Sequence, residues 1–449
     1  MDLLGLIPQF GSVIWTLIAF VVALSVIVAI HEYGHYIVGR WSGIHADVFS
    51  LGFGPVLFSR FDRHGTKWQF ALLPFGGYVK FKGDANAASG KDVDVMDATP
   101  PEELRNTMHG APLWARTLTV AAGPAFNFAL SILVFSAIVM TNGVTADPLA
   151  VGKIRPMPAD QVQELRPGDQ VLKIAGLDAP SFTDADTFTA FEEALPRDPV
   201  LEYLVRRDGQ EHLVQGPFLL PPLVVGVSPK SAAMAIAMKP GDVITAIDNG
   251  PIFTFEQLKA AVEGSDGRVL LLSVWRDGEI LEFALRPKRT DEPQPEGGFV
   301  TNWRIGIAGG MVFEPATSAP GVGEALWGGV TQTGRIMKGS VSGLWNMITG
   351  AISTCNMSGP IGIAQVSGEM ASQGAQSFIW FIAVLSAAVG LLNLFPIPAL
   401  DGGHLVFYAY EAVAGKPPSD SALRILMAVG IALVLSLMVF ALGNDIFCP

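Results

Sequence analysis

The sequence predicts a multi-pass α-helical membrane protein with four transmembrane helices, a membrane-associated β-hairpin and two β-rich extracytoplasmic domains. Three observations support this prediction: long uncharged stretches, one segment of alternating polar and apolar residues, and an internal repeat. Of the 449 residues, 50% are hydrophobic and 16% are charged, against roughly 25% charged in an ordinary soluble domain. The mean hydropathy of +0.41 agrees with a chain that is partly embedded in lipid.

The charge balance argues against a nucleic-acid-binding protein. The chain has 41 acidic and 29 basic residues and a net charge of −12, so no basic excess exists to neutralise phosphates. Two cysteines, Cys355 and Cys448, are too few for a disulfide framework or a four-thiolate metal site. We interpret Cys355 as a structural thiol and Cys448 as a solvent-exposed residue.

Four stretches lack Asp, Glu, Lys and Arg over a length that crosses a bilayer, for which about 20 residues are needed. They are Leu3–Ile30, Thr117–Ala146, Gly374–Leu400 and Ile425–Asn444. The first stretch lacks a basic start and a small-residue cleavage site, so we expect it to be retained. The spans define an N-terminal membrane part at 1–146 and a C-terminal one at 374–449. The uncharged stretch 339–368 is rich in Ser, Gly, Thr and Asn and is not counted as a span.

Basic residues predict the orientation of the spans. The first twelve residues and the tail after Leu442 contain no Lys or Arg, whereas the segment between the first two spans is rich in both. This segment is therefore expected in the cytoplasm. Four spans then place both termini and the central region outside the cytoplasm, since long domains are exempt from the charge rule.

The segment from Asp47 to Gly83 alternates polar and apolar residues around the bend Asp62-Arg63-His64-Gly65, which predicts a β-hairpin at about 47–83. Its apolar content is high for a cytoplasmic loop. A hairpin that dips into the membrane explains this content, provided that protein or a polar cavity satisfies its edges. A small hairpin that faces solvent is the alternative.

The region between the second and third spans contains an internal repeat. Pro167-Gly168-Asp169 returns as Pro240-Gly241-Asp242, and Arg207-Asp208-Gly209 returns as Arg276-Asp277-Gly278. Motifs that recur in this way predict two copies of one small β-rich domain. We place the copies at 147–222 and 223–310.

Pro-Gly-Asp followed by alternating Val or Ile and a turn resembles the PDZ family, particularly its bacterial form. That resemblance implies a groove in which an extended peptide adds as a strand. Arg304–Ala308 fits the glycine-apolar strand of a circularly permuted second copy. Two closed spacers without a peptide ligand are the alternative.

After the two copies, we predict an amphipathic, interfacial segment at 311–373. Apolar residues recur there with helical spacing on one face: Leu326, Val330, Met337, Val341, Leu344 and Ile348. A helix along the outer membrane surface fits this spacing, and so does a helix packed against the PDZ-like domains.

The first span ends in the H-E-x-x-H motif His31-Glu32-Tyr33-Gly34-His35. Positions i and i+4 of a helix share one face, so both imidazoles can reach one metal ion. Glu32 is rotated by about 100° from His31, close enough to act on a water at the metal without taking a coordination position. Ionisable groups at membrane depth are costly and usually functional, so the motif favours a metal site over two structural histidines.

A catalytic zinc ion needs a third protein ligand and an open position for water. The third span ends with Pro396, Pro398 and Asp401, and the two prolines open the helix there. An unpaired carboxylate in or near the apolar zone is unfavourable, and metal ligation offsets that cost. The predicted topology brings Asp401 and the two histidines to the cytoplasmic side. His404, one helical turn further on, is the rival ligand.

These motifs resemble those of the site-2 protease family, the M50-type intramembrane zinc metalloproteases. More narrowly, they resemble the bacterial regulator-of-sigma-E protease type with tandem PDZ domains. The resemblance covers essentially the whole chain, and it includes three further motifs. These are Gly52-Phe53-Gly54, Gly123-Pro124-Ala125-Phe126-Asn127 and Ser358-Gly359-Pro360-Ile361-Gly362.

The resemblance implies a zinc metalloendopeptidase in a bacterial inner (plasma) membrane that cuts peptide bonds within transmembrane segments. It implies Zn²⁺ ligation by His31, His35 and Asp401, with Glu32 as the general base. The active site is then expected toward the cytoplasmic side.

The resemblance also implies how a substrate is held. The hairpin edge at Gly52, Phe53 and Gly54 would pair with the unwound substrate, and Asn393 would help to hold it. The expected partners are the lipid bilayer and single-span substrates such as pre-trimmed anti-sigma factors or leftover signal peptides. The PDZ-like domains would act as an extracytoplasmic gate, by size or by binding a new C-terminus. No nucleic-acid partner is expected.

Two other classes of function are alternatives. A catalytically silent membrane scaffold would present its PDZ-like domains to partners, and a metal transporter would also place His, Glu and Asp in the membrane. The intact metal motif argues against a scaffold. Its single compact set of polar residues argues against a transport relay.

Overall fold

Two compact units make up the chain. The membrane unit contains the chain up to Ile138, Val322–Ile348 and the chain from Thr354, and the repeat unit contains Val139–Gly321 with Thr349–Ser353. The structure is a computed structural model, and it describes residues 6–85, 92–159, 161–180, 185–294 and 298–448.

Helices form most of the membrane unit, and a 3₁₀ turn covers Thr354–Asn356. The α-helices in chain order are α1 (Leu6–Trp41), α2 (Val93–Ala98), α3 (Pro101–Leu104), α4 (Leu113–Asn142), α5 (Ala185–Ala194), α6 (Ala232–Ala235), α7 (Phe255–Glu263), α8 (Val322–Ile348), α9 (Pro360–Ser372), α10 (Ala375–Asn393), α11 (Asp401–Ala414) and α12 (Asp420–Phe447).

Strands form one hairpin in the membrane unit and the sheets of the repeat unit. In chain order they are β1 (Ala46–Phe61), β2 (Lys67–Phe81), β3 (Val144–Thr145), β4 (Val151–Ile154), β5 (Gln170–Ile174), β6 (Leu177–Asp178), β7 (Val200–Arg207), β8 (Gln210–Pro217), β9 (Gly226–Val227), β10 (Val243–Ile247), β11 (Gly250–Pro251), β12 (Leu270–Arg276), β13 (Glu279–Leu285), β14 (Lys288–Pro293), β15 (Phe299–Arg304), β16 (Ile307–Ala308), β17 (Phe313–Pro315) and β18 (Thr317–Ser318).

The prediction of four membrane spans is confirmed. Among the described residues, four helices are long and apolar enough to cross a membrane: Val13–Trp41, Leu113–Asn142, Ala375–Asn393 and Ser421–Phe447. Large apolar side chains such as Val429 (58% exposed) and Val439 (65% exposed) cover their outer faces, as expected of helices whose solvent is lipid. The uncharged stretch 339–368 is divided between α8, the 3₁₀ turn and α9, so it is not a span.

Helices α4 and α10 pack closely through small and polar residues. The hydroxyl of Ser131 donates to the carbonyl oxygen of Ala383 at 2.6 Å, and the hydroxyl of Ser386 donates to that of Asn127 at 3.0 Å. Both serines are fully buried. Because lipid tails give no hydrophobic drive between helices, such small residues and interhelical hydrogen bonds stabilise the contact.

The predicted hairpin forms, and both of its strands bend. Ala46–Leu51 pairs with Gly77–Phe81, Phe58–Phe61 pairs with Lys67–Phe70, and Val48–Leu51 also pairs with Lys67–Phe70. The four segments therefore lie side by side in the order 58–61, 67–70, 48–51, 77–81. Segment 77–81 lies at one edge of this small sheet.

The repeat unit contains two four-stranded sheets of the same connectivity. Their strand orders are β6-β5-β7-β8 and β11-β10-β12-β13. Each sheet combines two tight hairpins, and a helix (α5 or α7) connects its second strand pair to the first. The predicted duplication of one β-rich fold is therefore present.

The segment after the second copy returns to the core of the first. Val312 and Phe313 are fully buried in the hydrophobic cluster around Tyr203 and Ile174. Strand β17 pairs there with β4, so the first copy is completed by residues from beyond the second. In the second copy, β16 pairs with β9, which uses Ile307 and Ala308 of the segment noted in the sequence.

A disulfide joins Cys355 to Cys448 across 93 residues of sequence, so the interpretation of Cys355 as a structural thiol is wrong, and Cys448 is a half-buried disulfide partner rather than an exposed end residue. The end of α12 lies against the 3₁₀ turn and the start of α9. The amide of Asn444 donates to the carbonyl oxygen of Thr354 at 2.7 Å. The carboxylate of Asp445 accepts hydrogen bonds from the N–H groups of Gly359 and Gly362 at 2.9 Å each.

Candidate metal centre

Helix α1 brings His31 and His35 onto one face, as their spacing predicts. Their Nε2 atoms lie 3.1 Å apart, and their rings are nearly perpendicular with centroids 4.7 Å apart. Nδ1 of His35 lies 2.9 Å from the carbonyl oxygen of Thr119 in α4. A carbonyl oxygen only accepts hydrogen bonds, so this contact favours the proton on Nδ1 and leaves Nε2 free to bind a metal.

Asp401 is the first residue of α11 and follows the loop that leaves α10. Two glycines let this loop fold tightly over the start of α11. A Cβ atom on Gly402 would lie 2.3 Å from the carbonyl oxygen of Leu394, and one on Gly403 would lie 2.3 Å from that of Ile397. A side chain at position 402 or 403 would therefore push the loop away from the start of α11. The two glycines after Asp401 keep the loop, and with it the Asp401 carboxylate, in this position.

Three side-chain atoms from α1 and α11 converge. Oδ2 of Asp401 lies 3.1 Å from Nε2 of His31 and 3.5 Å from Nε2 of His35. In the described part of the chain, these three residues form the group whose ligand atoms could hold one metal ion, and all three are partly or largely buried. His404, the rival ligand, is not in this group, and its ring contacts Phe407 edge-on instead.

The geometry fits zinc. A tetrahedral ion with bonds of about 2.0 Å holds its ligand atoms about 3.3 Å apart, close to the 3.1 Å and 3.5 Å observed here. Oδ2 of Asp401 is buried and, among the described residues, has no hydrogen-bond donor in normal geometry. Two imidazole nitrogens and one carboxylate oxygen are also a donor set that catalytic zinc uses.

Glu32 lies beside this group and contacts the hairpin. The backbone N–H of Val79 faces its carboxylate. Segment 77–81 approaches α1 closely, since a Cβ atom on Gly77 would lie 2.9 Å from Cγ1 of Val28 and 3.2 Å from Cγ of Glu32. An edge segment of the hairpin therefore borders the candidate metal centre.

Gly52–Gly54 forms the bend of β1. Gly52 has φ +90°, and a Cβ atom there would lie 2.8 Å from the carbonyl oxygen of Leu73, so only glycine fits. Phe53 stacks on Tyr78, the neighbour of Val79 in the edge segment, with ring centroids 5.9 Å apart. The motif thus supports the segment that borders Glu32.

Asn393 ends α10. Its amide donates to the carbonyl oxygen of Val389 at 3.1 Å, which is a bond within its own helix. Its contribution to substrate holding stays a prediction.

One residue of a sequence motif, Asn127, lies at the centre although no role there was predicted for it. Asn127 in α4 is fully buried, and its side-chain amide lies 3.2 Å from Nδ1 of His31. The signal was available, since a strongly polar residue in the middle of a span is costly unless it has a partner. Gly123, one turn earlier in α4, permits the close approach of α4 to the two histidines of α1, because a Cβ atom there would lie 2.3 Å from Nε2 of His35.

Two histidines, an aspartate and a neighbouring glutamate in a unit of membrane-length helices are the residues expected of a membrane metallopeptidase. Residues 19–437 match peptidase family M50. A protein of Rhizobium meliloti named as a zinc metalloprotease is 36% identical over 435 residues, with 96% of each chain covered. An Agrobacterium fabrum protein of the same kind of name is 34% identical over 433 residues, covering 96% of this chain and 95% of its own.

The regulator of sigma-E protease of Salmonella typhimurium is 30% identical over 469 residues, covering 97% of this chain and 99% of its own. The chain belongs to peptidase family M50. It is a zinc metalloendopeptidase of the site-2 protease type.

Proposed function

We propose that the protein hydrolyses peptide bonds within transmembrane segments of membrane proteins, with His31, His35 and Asp401 as zinc ligands and Glu32 as the general base. The observation that supports this most is the convergence of the three ligand atoms, 3.1–3.5 Å apart, beside Glu32. All four residues belong to the membrane unit.

Zinc at this set supplies Lewis acidity toward the scissile carbonyl and a nucleophile near neutral pH. Glu32 removes a proton from the attacking water and passes it to the leaving amide nitrogen. The N–H of Val79, which faces the Glu32 carboxylate, helps to orient it for this transfer.

A transmembrane substrate must be unwound before attack, because a helix hides its peptide bonds in its own hydrogen bonds. The edge segment 77–81 offers replacement hydrogen bonds by strand addition. Its position against Glu32 supports this role. Gly52, Phe53 and Gly54, the edge that the resemblance implies for substrate pairing, contact this segment through the stacking of Phe53 on Tyr78. Asn393 holds the unwound substrate at the end of α10.

The substrate class follows from the same membrane site and from one relative. The relative in Salmonella typhimurium is named a regulator of sigma-E protease, which favours single-span substrates of the anti-sigma-factor type for this protein, and leftover signal peptides are further candidates. The two copies in the repeat unit, 147–222 (completed by β17) and 223–310, act as PDZ-like extracytoplasmic domains that gate access.

We place the protein in a bacterial inner membrane, with both termini and the repeat unit outside the cytoplasm and the metal centre toward the cytoplasmic side. The Cys355–Cys448 disulfide supports this orientation, because disulfides persist in oxidising compartments and are rare in the cytosol. It joins the end of α12 to the turn that precedes α9, so both lie on the oxidising side.

The deciding experiment uses purified protein in detergent and a single-span test substrate of low helix propensity. Wild type should cleave it, Glu32→Gln should retain zinc but lose cleavage, and a chelator should abolish cleavage until zinc is restored. Glu324→Gln, an exposed position at the start of α8, is the matched control and should cleave like wild type. Unimpaired cleavage by Glu32→Gln would refute the assigned base.

The gate is tested with the same full-length protein and a series of substrates that have folded ectodomains of increasing size. Gating by size predicts that cleavage falls as the ectodomain grows. Gating by recognition predicts instead that a free peptide with the trimmed substrate's C-terminus changes cleavage at constant substrate size. Equal cleavage in all conditions would contradict a gate of either kind.

A further inference from the structure

We propose that Asn127 is a positioning residue of the metal centre: its side-chain oxygen accepts a hydrogen bond from Nδ1 of His31 and so fixes Nε2 of that ring as the metal ligand. This inference rests on the proposed zinc site. It concerns a residue that does not itself contact the metal or the substrate.

The contact is buried on both sides. Asn127 has no exposed surface and His31 is 9% exposed, and the amide lies 3.2 Å from Nδ1. A buried amide inside a membrane span is unfavourable unless it forms hydrogen bonds. The partner that the structure provides for it is a proposed metal ligand.

The tautomer of His31 decides whether it can bind the metal. A neutral imidazole has one protonated nitrogen and one nitrogen with a free lone pair. Nε2 of His31 points at Nε2 of His35 and at Oδ2 of Asp401, so metal binding there requires the proton on Nδ1. Nδ1 then needs a hydrogen-bond acceptor.

The second histidine already shows this arrangement. Nδ1 of His35 lies 2.9 Å from the carbonyl oxygen of Thr119, which can only accept. Asn127 stands in the equivalent place for His31, two turns further along α4. Metal-bound histidines almost always donate their other N–H to such an acceptor, which fixes both ring orientation and tautomer.

The orientation of the amide follows from this requirement. Nδ2 of Asn127 is the nearer atom to His31, and Oδ1 is buried with no hydrogen-bond partner among the described residues. The oxygen and the NH₂ group exchange places by a half-turn of the amide, and the hydrogen-bond network decides between the two positions. A protonated Nδ1 selects the position in which Oδ1 faces it.

The backbone of α4 holds Asn127 in place from the other side. The carbonyl oxygen of Asn127 accepts from the hydroxyl of Ser386 in α10 at 3.0 Å. A Cβ atom on Gly390 would lie 3.1 Å from Cβ of Asn127, so α10 packs directly against this residue. Three helices therefore meet at the contact, and the amide has little room to move away from His31.

The test measures zinc affinity by chelator competition, and zinc content per chain, on purified full-length variants. Asn127→Leu removes the acceptor and should weaken zinc binding by about 10- to 100-fold, the usual effect of losing such a partner. Asn127→Asp keeps only acceptor oxygens and should stay within about threefold of wild type. Ser131→Ala, which removes a neighbouring hydrogen bond of α4, is the matched control and should bind zinc like wild type.

The two Asn127 variants also reveal the direction of the hydrogen bond. If the amide donated to Nδ1, Asn127→Asp would be as weak as Asn127→Leu, and that result would overturn the proposal. Wild-type affinity in Asn127→Leu would overturn it as well. Wild type that binds no zinc would refute the proposed metal site itself, so the two failures are distinct.

A measurement on the wild type alone guards against variants that do not fold. Nitrogen NMR of zinc-loaded protein with ¹⁵N-labelled histidine reports which ring nitrogen is protonated. We expect protonated Nδ1 and metal-bound Nε2 for both histidines of the centre. A signal from a histidine bound to zinc through Nδ1 would contradict the role of Asn127.

Discussion

Arg207 donates two hydrogen bonds to the carboxylate of Asp169, each 2.7 Å long. Arg276 forms the same pair with Asp242 in the second copy, at 2.6 and 2.7 Å. In each copy, the Pro-Gly-Asp motif and the Arg-Asp-Gly motif that recur in the sequence are therefore joined by an ion pair. Burial of Asp169 favours its neutral form, but the guanidinium outweighs this and lowers the pKa of the carboxyl below its ordinary value.

Replacing Arg207 by methionine should destabilise the first copy. The Asp169 side chain is 1% exposed, and removal of one partner from a buried ion pair costs about 3–5 kcal/mol because a charge is left unpaired. Arg206→Met is the matched control, since the Arg206–Glu211 pair is exposed and such pairs contribute at most about 1 kcal/mol. Hydrogen exchange of β5 and β7 measures the destabilisation in both variants. Equal effects of Arg207→Met and Arg206→Met would contradict a special contribution of the buried Arg207–Asp169 pair.

The metal centre could be predicted from sequence because its signals are local. The spacing of His31 and His35 puts both on one helix face. The two prolines before Asp401 predict an open helix end, and the Asp401 carboxylate there is unfavourable in an apolar zone unless it has a partner. The duplication was visible for the same reason, since Asp169 and Asp242 sit in identical short motifs. The register of the hairpin bend and the position of segment 77–81 depend on which residues of the two strands pair. The alternation of polar and apolar residues in the sequence does not define that pairing.

Contacts between distant segments could not be predicted. The return of Val312 and Phe313 to the first copy's core, and the disulfide between Cys355 and Cys448, each join residues far apart in sequence. The sequence positions of the two cysteines do not indicate that they pair. Their pairing becomes evident only from the fold, in which the end of α12 lies against the turn before α9. Asn127 could be predicted in part. The sequence shows that a polar amide in a membrane span is unfavourable without a partner, but it does not show that the partner is His31.

The hairpin turn depends on one carboxylate. Burial raises the pKa of Asp62, but hydrogen bonds from the hydroxyl of Tyr36, the indole of Trp68 and the N–H groups of His64 and Thr66 outweigh it and lower the pKa to about 2. An ordinary aspartate has a pKa of about 3.9. The ionised carboxylate therefore stabilises the fold above about pH 4, and this contribution is lost as the pH falls toward 2.

Asp62→Asn should accordingly lower the melting temperature at neutral pH, and its difference from wild type should shrink between about pH 4 and pH 2. Thermal unfolding in detergent across this range provides the measurement. Asp94→Asn, an exposed position in α2, controls for the loss of a charge. A difference that grows as the pH falls would show that the hydrogen bonds do not favour the ionised form.

Arg116 and Glu411 join the start of α4 to α11, the helix that begins with Asp401. The guanidinium donates two hydrogen bonds to the carboxylate, at 3.0 and 2.6 Å, and both side chains are largely buried. Arg116→Met should therefore lower the free energy of unfolding by about 3–5 kcal/mol, and the double variant Arg116→Met/Glu411→Leu should recover much of the loss.

A double-mutant cycle on full-length protein measures this coupling, with unfolding followed by heat or denaturant. The exposed pair of Lys82 and Glu103 is the control, and Lys82→Met should change the free energy of unfolding far less than Arg116→Met. A double variant that is as unstable as the sum of its single variants would show that the two side chains act independently.

The disulfide between Cys355 and Cys448 tests the orientation in the membrane. If the end of α12 and the turn before α9 lie in an oxidising compartment, both thiols are blocked in cells. Cells quenched with a small alkylating agent should yield protein that a maleimide polymer labels only after reduction, and then twice. Cys448→Ser leaves Cys355 without its partner, so the agent should block it in cells and no polymer should attach after reduction. Wild-type protein that takes up no polymer after reduction would place these cysteines in a reducing compartment and reverse the proposed topology.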